Sequence, residues 1–369
     1  MSVGSTELTI PRVLFVGRTR YRLPLADGLA RKWDALSERM GVRVIASGTG
    51  TAPRFRLVPP RPLDGLLFYA TLPAVIAREL RSFRPDVVVA ESPYEASAAE
   101  LARTIARSRA KVVVEVHGDW RVWSSHYGSR ARALLRPVSD AVAEWAVDHA
   151  DGHRAVSGFT ASLVEGRGRE PLGVFTTYSD LGAFNGPRVR VPDERRVLFV
   201  GVLERYKNVE GLAAAWRLVT RRVPEAKLHL VGMGTLAEVA EGLAREGVQW
   251  DRRLEPEQVA AAFDASRALL LPSASEGLPR IGVESFLRGR GVVGTRAGGI
   301  PDLVEDEVSG LLVELGDTEA LAGAIERLLT EDGLAEKLGQ GAAEAAERWV
   351  STPTEYADRV LAVVTAVLA

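Results

Sequence analysis

Short β-branched runs alternate with longer helix-patterned stretches along this chain, and the alternation starts twice. Residues 12–16, 42–46, 86–90 and 111–116 are brief, rich in Val, and bounded by Gly, Pro or polar residues, which predicts buried strands. Residues 26–40, 70–82 and 95–108 carry the helical pattern between them. Strands that alternate with helices need crossover connections, so the order implies a parallel sheet with helices on both faces. The pattern restarts with strands at 196–200, 227–231, 268–271, 291–295 and 310–313, and helices at 208–222, 236–246, 257–266, 283–288 and 319–331. Residues 178–193 lack periodicity and read as a linker.

With 369 residues the chain exceeds one compact core. The expected architecture is α/β: two Rossmann-like, doubly wound domains facing a central cleft, over 1–185 and 186–352. A final helix, 353–369, either closes the second domain or crosses back to the first. Ligands of such sheets bind where the strands' carboxyl ends meet a crevice. A composition of 46% hydrophobic and 26% charged residues argues against a disordered or fibrous chain. No apolar run is long enough to span a bilayer. Met1–Thr9 shows neither a basic segment nor an apolar core, so no secretory signal is expected there. The absence of cysteine removes disulfides, thiolate metal sites and cysteine nucleophiles, and fits a cytoplasmic protein.

Three clusters carry chemistry. Ser275-Glu276-Gly277-Leu278-Pro279-Arg280-Ile281-Gly282-Val283-Glu284 follows a buried strand and opens a helix. Backbone N–H groups and the helix dipole favour an anion there, so a diphosphate suits the loop. Glu284 is placed to accept hydrogen bonds from vicinal hydroxyls such as those of ribose, and Glu276 to reach a sugar. Alone, the pair reads equally as a helix cap with a surface glutamate. Gly201-Val202-Leu203-Glu204-Arg205-Tyr206-Lys207-Asn208 sits at a strand-to-helix junction, where Lys207 suits a phosphate. Its plain reading is a solvated charged turn. Gly298-Gly299 permits close backbone approach or positive φ, or forms an ordinary tight turn.

Together, in this order and spacing, the clusters resemble glycosyltransferase family 4, retaining enzymes of the two-domain GT-B fold. The resemblance covers residues 196–315 most strongly. It implies that Lys207, with Gly201 and Arg205 beside it, contacts the diphosphate of a nucleoside diphosphate sugar. It places Glu276 near the donor sugar as a catalytic residue, Gly277, Leu278, Pro279 and Arg280 along the donor, and Glu284 on the ribose. Arg253, in Arg252-Arg253-Leu254, falls in the loop that faces the nucleobase in that family. His117 takes the position of a histidine near the donor sugar. One departure stands out: the family often has Arg directly after the first glycine, where this chain has Val202. No metal or other cofactor is expected. Gly232-Met233-Gly234 lacks the third glycine of a dinucleotide fingerprint.

The first half is less typical. Gly17-Arg18-Thr19-Arg20-Tyr21-Arg22-Leu23-Pro24 reads as a basic loop, and Arg18, Arg20 and Tyr21, with Asp119, are candidates for holding an acceptor. Residues 1–187 hold 25 Lys+Arg against 19 Asp+Glu, a balance that attracts an anionic acceptor or a membrane surface, or reflects surface variation. Trp120, Trp123 and Tyr127 are interleaved with Arg121, Arg130, Arg132 and Arg136, which fits peripheral membrane contact, acceptor contact or plain packing. The basic excess is too small to favour nucleic acid. The expected activity is transfer of a hexose-type sugar, with retention, to a hydroxyl of a polysaccharide, glycolipid or secondary metabolite, in the cytoplasm or at the inner face of the cell membrane. The alternatives are a nucleotide-sugar epimerase or phosphorylase on the same fold, and a catalytically silent nucleotide-sugar-binding module.

Overall fold

The computed structural model describes residues 10–59, 64–121 and 130–369. Trp123 and Tyr127 lie outside these, and the side chains of Arg130, Arg132 and Arg136 are likewise outside the description.

The first half winds β1 (Arg12–Arg22), α1 (Asp27–Arg39), β2 (Gly41–Thr49), β3 (Phe55–Val58), α2 (Asp64–Ser82), β4 (Val87–Ala90), α3 (Pro93–Ala106), β5 (Lys111–Val116), α4 (Arg130–His149), β6 (Gly152–Ala155), α5 (Gly158–Glu165) and β7 (Gly173–Val174). Its strands lie in the order β3-β2-β1-β4-β5-β6-β7. The second half follows with β8 (Arg196–Val200), α6 (Val209–Arg222), β9 (Lys227–Val231), α7 (Ala237–Arg245), β10 (Gln249–Asp251), α8 (Pro256–Asp264), β11 (Ala268–Leu271), α9 (Arg280–Leu287), β12 (Gly291–Thr295), α10 (Ile300–Leu303), β13 (Gly310–Val313), α11 (Thr318–Thr330), α12 (Leu334–Ala345) and α13 (Pro353–Leu368). Its order is β10-β9-β8-β11-β12-β13. The ladders within both sheets are parallel. Both orders reverse direction beside their first strand, at β1/β4 and at β8/β11, and such switch points open a crevice at the strands' carboxyl ends.

The strands are apolar on both faces because helices cover both. Val13, Phe15, Val87, Val89 and Val113 pack toward one layer, and Leu14, Val16, Val88, Val112 and Val114 toward the other. α13 crosses back: Tyr356, Val360, Val363, Val364 and Val367 join the cluster of Val13, Phe15, Trp33 and Val113 under the first sheet. Each such burial contributes roughly 1.5–3 kcal/mol relative to exposure, so the crossing helix is anchored.

The segment between the sheets is tied down rather than loose. It contains a 3-10 turn, Gly182–Phe184. The buried guanidinium of Arg290 donates to the carbonyls of Val189 (3.0 Å) and Arg190 (3.2 Å), and Arg288 donates to that of Pro187 (3.2 Å).

Candidate active site

The loop after β8 folds inward because its neighbours brace it. Gly201 N–H donates to Val231 O (3.0 Å), and Leu203 N–H to Met233 O (2.9 Å). Glu204 accepts from both the N–H (3.1 Å) and hydroxyl (2.6 Å) of Thr235. Gly232, at φ +148, and Gly234 permit this approach: a Cβ would fall 1.8 Å from Gly201 O and 2.4 Å from Leu203 O. The Gly-x-Gly pair is therefore a brace for the loop. A 3-10 turn, Arg205–Lys207, then carries Lys207 into the interior, while Arg205 stays exposed on the same turn.

Lys207 meets Glu276 across the β8/β11 switch point. Its Nζ donates to Glu276 Oε1 at 2.5 Å, and Ser273 Oγ donates to the same oxygen at 2.8 Å. The two charged side chains are each only about one-tenth exposed (10% and 11%), so little water screens them. The loop bearing Glu276 rests on the Gly298-Gly299 turn. Gly298 has φ +57, and a Cβ on it would lie 2.3 Å from Glu276 O; one on Gly299 would lie 1.9 Å from Gly277 O. Gly299 N–H donates to Glu276 O at 2.8 Å.

α9 begins at Arg280, three residues before the apolar pattern suggests, so Arg280 is the first helical residue and Glu284 lies one turn on. Arg280 Nε pairs with Glu284 Oε1 at 2.7 Å. Burial nevertheless holds the Glu284 carboxyl above its ordinary range, against the pull of Arg280.

The two halves touch at this loop. Ser157 caps α5 and its Oγ donates to Gly277 O at 2.7 Å; Phe159 N–H, in the first turn of α5, donates to Asp302 Oδ2 at 2.7 Å. A Cβ on Gly277 would lie 1.8 Å from His117 O. A small cavity of about 120 Å³ opens here, with His117, Thr177 and Ser179 on one side and Leu278, Arg280 and Val283 on the other. His117 follows β5, and its ring reaches Glu115 Oε2 through Nε2 (3.2 Å) and Thr177 Oγ1 through Nδ1 (3.4 Å). Among the described residues, no group of three or more His, Asp or Glu side chains is arranged to hold a metal ion.

Several expected residues are placed differently from the sequence reading. The stretch after Val16 is a continuation of β1, with a register shift against β2 between Val16 and Arg20. Tyr21 is consequently turned into the core, edge-on to Trp33 and Phe55 at 6.3 and 5.5 Å, so its ring is not an acceptor-facing surface. Arg18 and Arg20 are exposed on the same strand. The Asp119 carboxylate is taken by a two-point pair with Arg121, 2.8 Å on each arm. Arg253 is exposed and pairs with Glu255 at 3.4 Å. Trp120 is buried, which is the packing reading of that residue. Sequence reasoning passed over Ser273, Ser157 and Asp302. Ser157 and Thr160 cap the start of α5 reciprocally, but Thr160 stands where the usual sequence signature has Glu or Gln, so the sequence alone does not mark the cap.

Two facing parallel α/β sheets with the loops of β8, β11 and β5 converging between them form the GT-B fold. Solved structures share this fold over nearly the whole chain. They include sucrose-phosphate synthase from Thermosynechococcus elongatus (TM-score 0.74, 19% identity, 97% of this chain and 99% of that one). HepE from Anabaena in complex with UDP-glucose is another (TM-score 0.69, 18% identity, 95% and 99%). The family pattern described as Glycosyltransferase Family 4 matches residues 27–175, and that described as Glycosyl transferases group 1 matches residues 194–331. The chain belongs to glycosyltransferase family 4. It is 26% identical over 330 residues to sulfoquinovosyl transferase SQD2 of Arabidopsis thaliana, covering 85% of this chain and 61% of that protein. It is 30% identical over 179 residues to D-inositol 3-phosphate glycosyltransferase of Corynebacterium aurimucosum, covering 44% and 42%. The chain thus spans less than two thirds of the length of these relatives.

Proposed function

We propose that this protein transfers a hexose-type sugar from a nucleoside diphosphate sugar to an acceptor hydroxyl, with retention at the anomeric carbon. The observation that carries the reading is the Lys207–Glu276 contact at 2.5 Å across the switch point of the second sheet. An ammonium held in a nearly dry crevice offers an entering diphosphate more than one in water would. As the sugar–phosphate bond breaks, negative charge develops on the leaving diphosphate, and Lys207 with the loop amides near Gly277 and Leu278 stabilises it. Glu276, released from Lys207, turns to the sugar, and Glu284 takes the ribose hydroxyls.

The donor binds mainly to the second half and the acceptor to the first. HepE complexes with UDP and UDP-glucose among the structural neighbours favour uracil as the base. The relative named as a D-inositol 3-phosphate glycosyltransferase favours a small polyol phosphate as acceptor, and the one named for sulfoquinovosyl transfer favours an anionic sugar as the group moved. No described helix is long and apolar enough to cross a membrane. The basic excess of residues 1–187 supports action in the cytoplasm against an anionic membrane face. Exposed Val202 in place of the family's frequent Arg leaves Lys207 to carry more of the diphosphate's charge, with exposed Arg205 nearby in the chain.

The test is a panel of UDP-, GDP- and ADP-sugars with sugar, inositol phosphate and diacylglycerol acceptors, following nucleotide release and the anomeric configuration of the product by NMR. Turnover to an α-linked product from an α-linked donor is expected. Nucleotide-sugar interconversion without an acceptor would mean an epimerase, phosphate consumption a phosphorylase, and binding without turnover a silent module.

A further inference from the structure

His117 has both ring nitrogens engaged by residues that the donor site does not otherwise use, and their chemistry fixes which nitrogen carries the proton. Arg154, on β6, is 1% exposed. Its Nη1 donates to Glu115 Oε1 at 2.6 Å, and its Nη2 donates to Phe175 O at 2.8 Å and Thr177 Oγ1 at 3.4 Å. Glu115 Oε2 faces His117 Nε2 at 3.2 Å, and Thr177 Oγ1 faces His117 Nδ1 at 3.4 Å. The four side chains close a ring of contacts.

Guanidinium groups only donate. Glu115 is fully buried, which alone would raise its pKa, but Arg154 and His117 overcome this and hold the carboxyl well below the ordinary range. As a carboxylate it can only accept, so it takes a proton from Nε2–H. Thr177 Oγ1 accepts from Arg154, and with Nε2–H committed to Glu115 its own hydrogen is the one available for Nδ1. Lys32 from α1 also acts on Glu115, although burial pulls its ammonium toward the uncharged form. Tyr356 from α13, under Arg154 (5.6 Å) and Lys32 (5.3 Å), and Tyr21 from β1 are kept neutral by burial.

We infer that the buried Glu115–Arg154 pair, with Thr177, holds His117 in its Nε2–H tautomer, so that Nδ1 meets the cleft as a hydrogen-bond acceptor. The partner this selects is a hydroxyl of the bound sugar, which can replace the long Thr177 contact by donating to Nδ1. Glu115, Arg154 and Thr177 are positioning residues. The consequence for turnover rests on the proposed glycosyl transfer; the protonation pattern does not.

The experiment is ¹⁵N-histidine labelling with long-range ¹H–¹⁵N correlation at neutral pH, the His117 signals being assigned by their loss in His117→Asn. The full chain is expected to show His117 as the Nε2–H tautomer. In Glu115→Gln, the amide oxygen must face Arg154, which turns the amide NH₂ toward Nε2, and the tautomer is expected to switch to Nδ1–H. Turnover should fall about tenfold, the worth of one hydrogen bond, with donor KM changing less than kcat. Should Glu115→Gln fail to fold, Thr177→Val provides the second variant: it keeps the Nε2–H pattern and shifts only the Nδ1 resonance. An imidazolium or Nδ1–H tautomer in the unmodified protein overturns the inference, as does a folded Glu115→Gln with an unchanged pattern. A protein with the expected pattern but no turnover for any nucleotide sugar would defeat the proposed function and leave the positioning intact.

Discussion

Replacing Lys207 by methionine separates the stability and catalytic roles of the central pair. Methionine keeps most of the apolar stem and removes the charge. Glu276 then loses its 2.5 Å partner and retains only the Ser273 hydroxyl at 2.8 Å. Both side chains are about nine-tenths covered, so the stranded carboxylate is poorly hydrated. Removing one partner of such a pair costs roughly 3–5 kcal/mol, or a fall in Tm of roughly 6–20 °C. Adding Glu276→Gln removes the stranded charge, and stability should return to within about 1 kcal/mol of the parent. Activity behaves differently. Losing the cation that faces a developing phosphate charge costs about 10²–10³ in kcat, and the double variant recovers none of it. Thermal unfolding and nucleotide release on the parent, both single variants and the double variant give the comparison. A double variant as unstable as Lys207→Met, or Lys207→Met with parental turnover, would refute the reasoning.

Three further outcomes follow from the same contacts. A Cβ at Gly299 would sit 1.9 Å from Gly277 O, so Gly299→Ala should push the Glu276 loop aside and lower kcat while circular dichroism stays native; unaltered turnover would show that the loop does not depend on this turn. Asp302→Ala removes the acceptor for Phe159 N–H at the start of α5, and should cost about 1 kcal/mol in urea unfolding while raising donor KM through loss of an inter-sheet tie. The Glu284 carboxyl is held above its ordinary range, so the folded state binds more protons than the unfolded chain between the two pKa values. Its ionisation therefore destabilises the fold as pH rises through that interval. Glu284→Gln should raise Tm at pH 8, with the gain shrinking as pH falls toward about 4.3 and absent below it, and should weaken nucleotide binding in calorimetry.

Much of the fold was legible because a parallel sheet covered on both faces needs uninterrupted apolar strands. β5, β8, β9, β11, β12 and β13 coincide with the runs read from sequence. β6, whose text is Gly-His-Arg-Ala, and the three-residue edge strand β10 carry no such run; sheet pairing defines them, not side-chain pattern. β1 runs past its apolar core to Arg22 because it pairs again with Ser47–Thr49 after the register shift. In the site, Lys207 and Glu276 could be read as a pair of clusters, since loops after adjacent switch-point strands must meet. Ser157 and Asp302 could not, because their contacts join residues 120 and 143 positions apart. The same holds for Glu115 and Arg154: each sits in a strand as a charged interruption, and only the neighbouring register of β5 and β6 turns two interruptions into one ion pair.

The most direct test of the central claim is a crystal structure of the full chain with a nucleoside diphosphate. The diphosphate is expected between Lys207 Nζ and the backbone amides near Gly277 and Leu278, with the ribose hydroxyls on Glu284 and Glu276 released from Lys207. A nucleotide bound elsewhere, with the Lys207–Glu276 contact still closed, would contradict it.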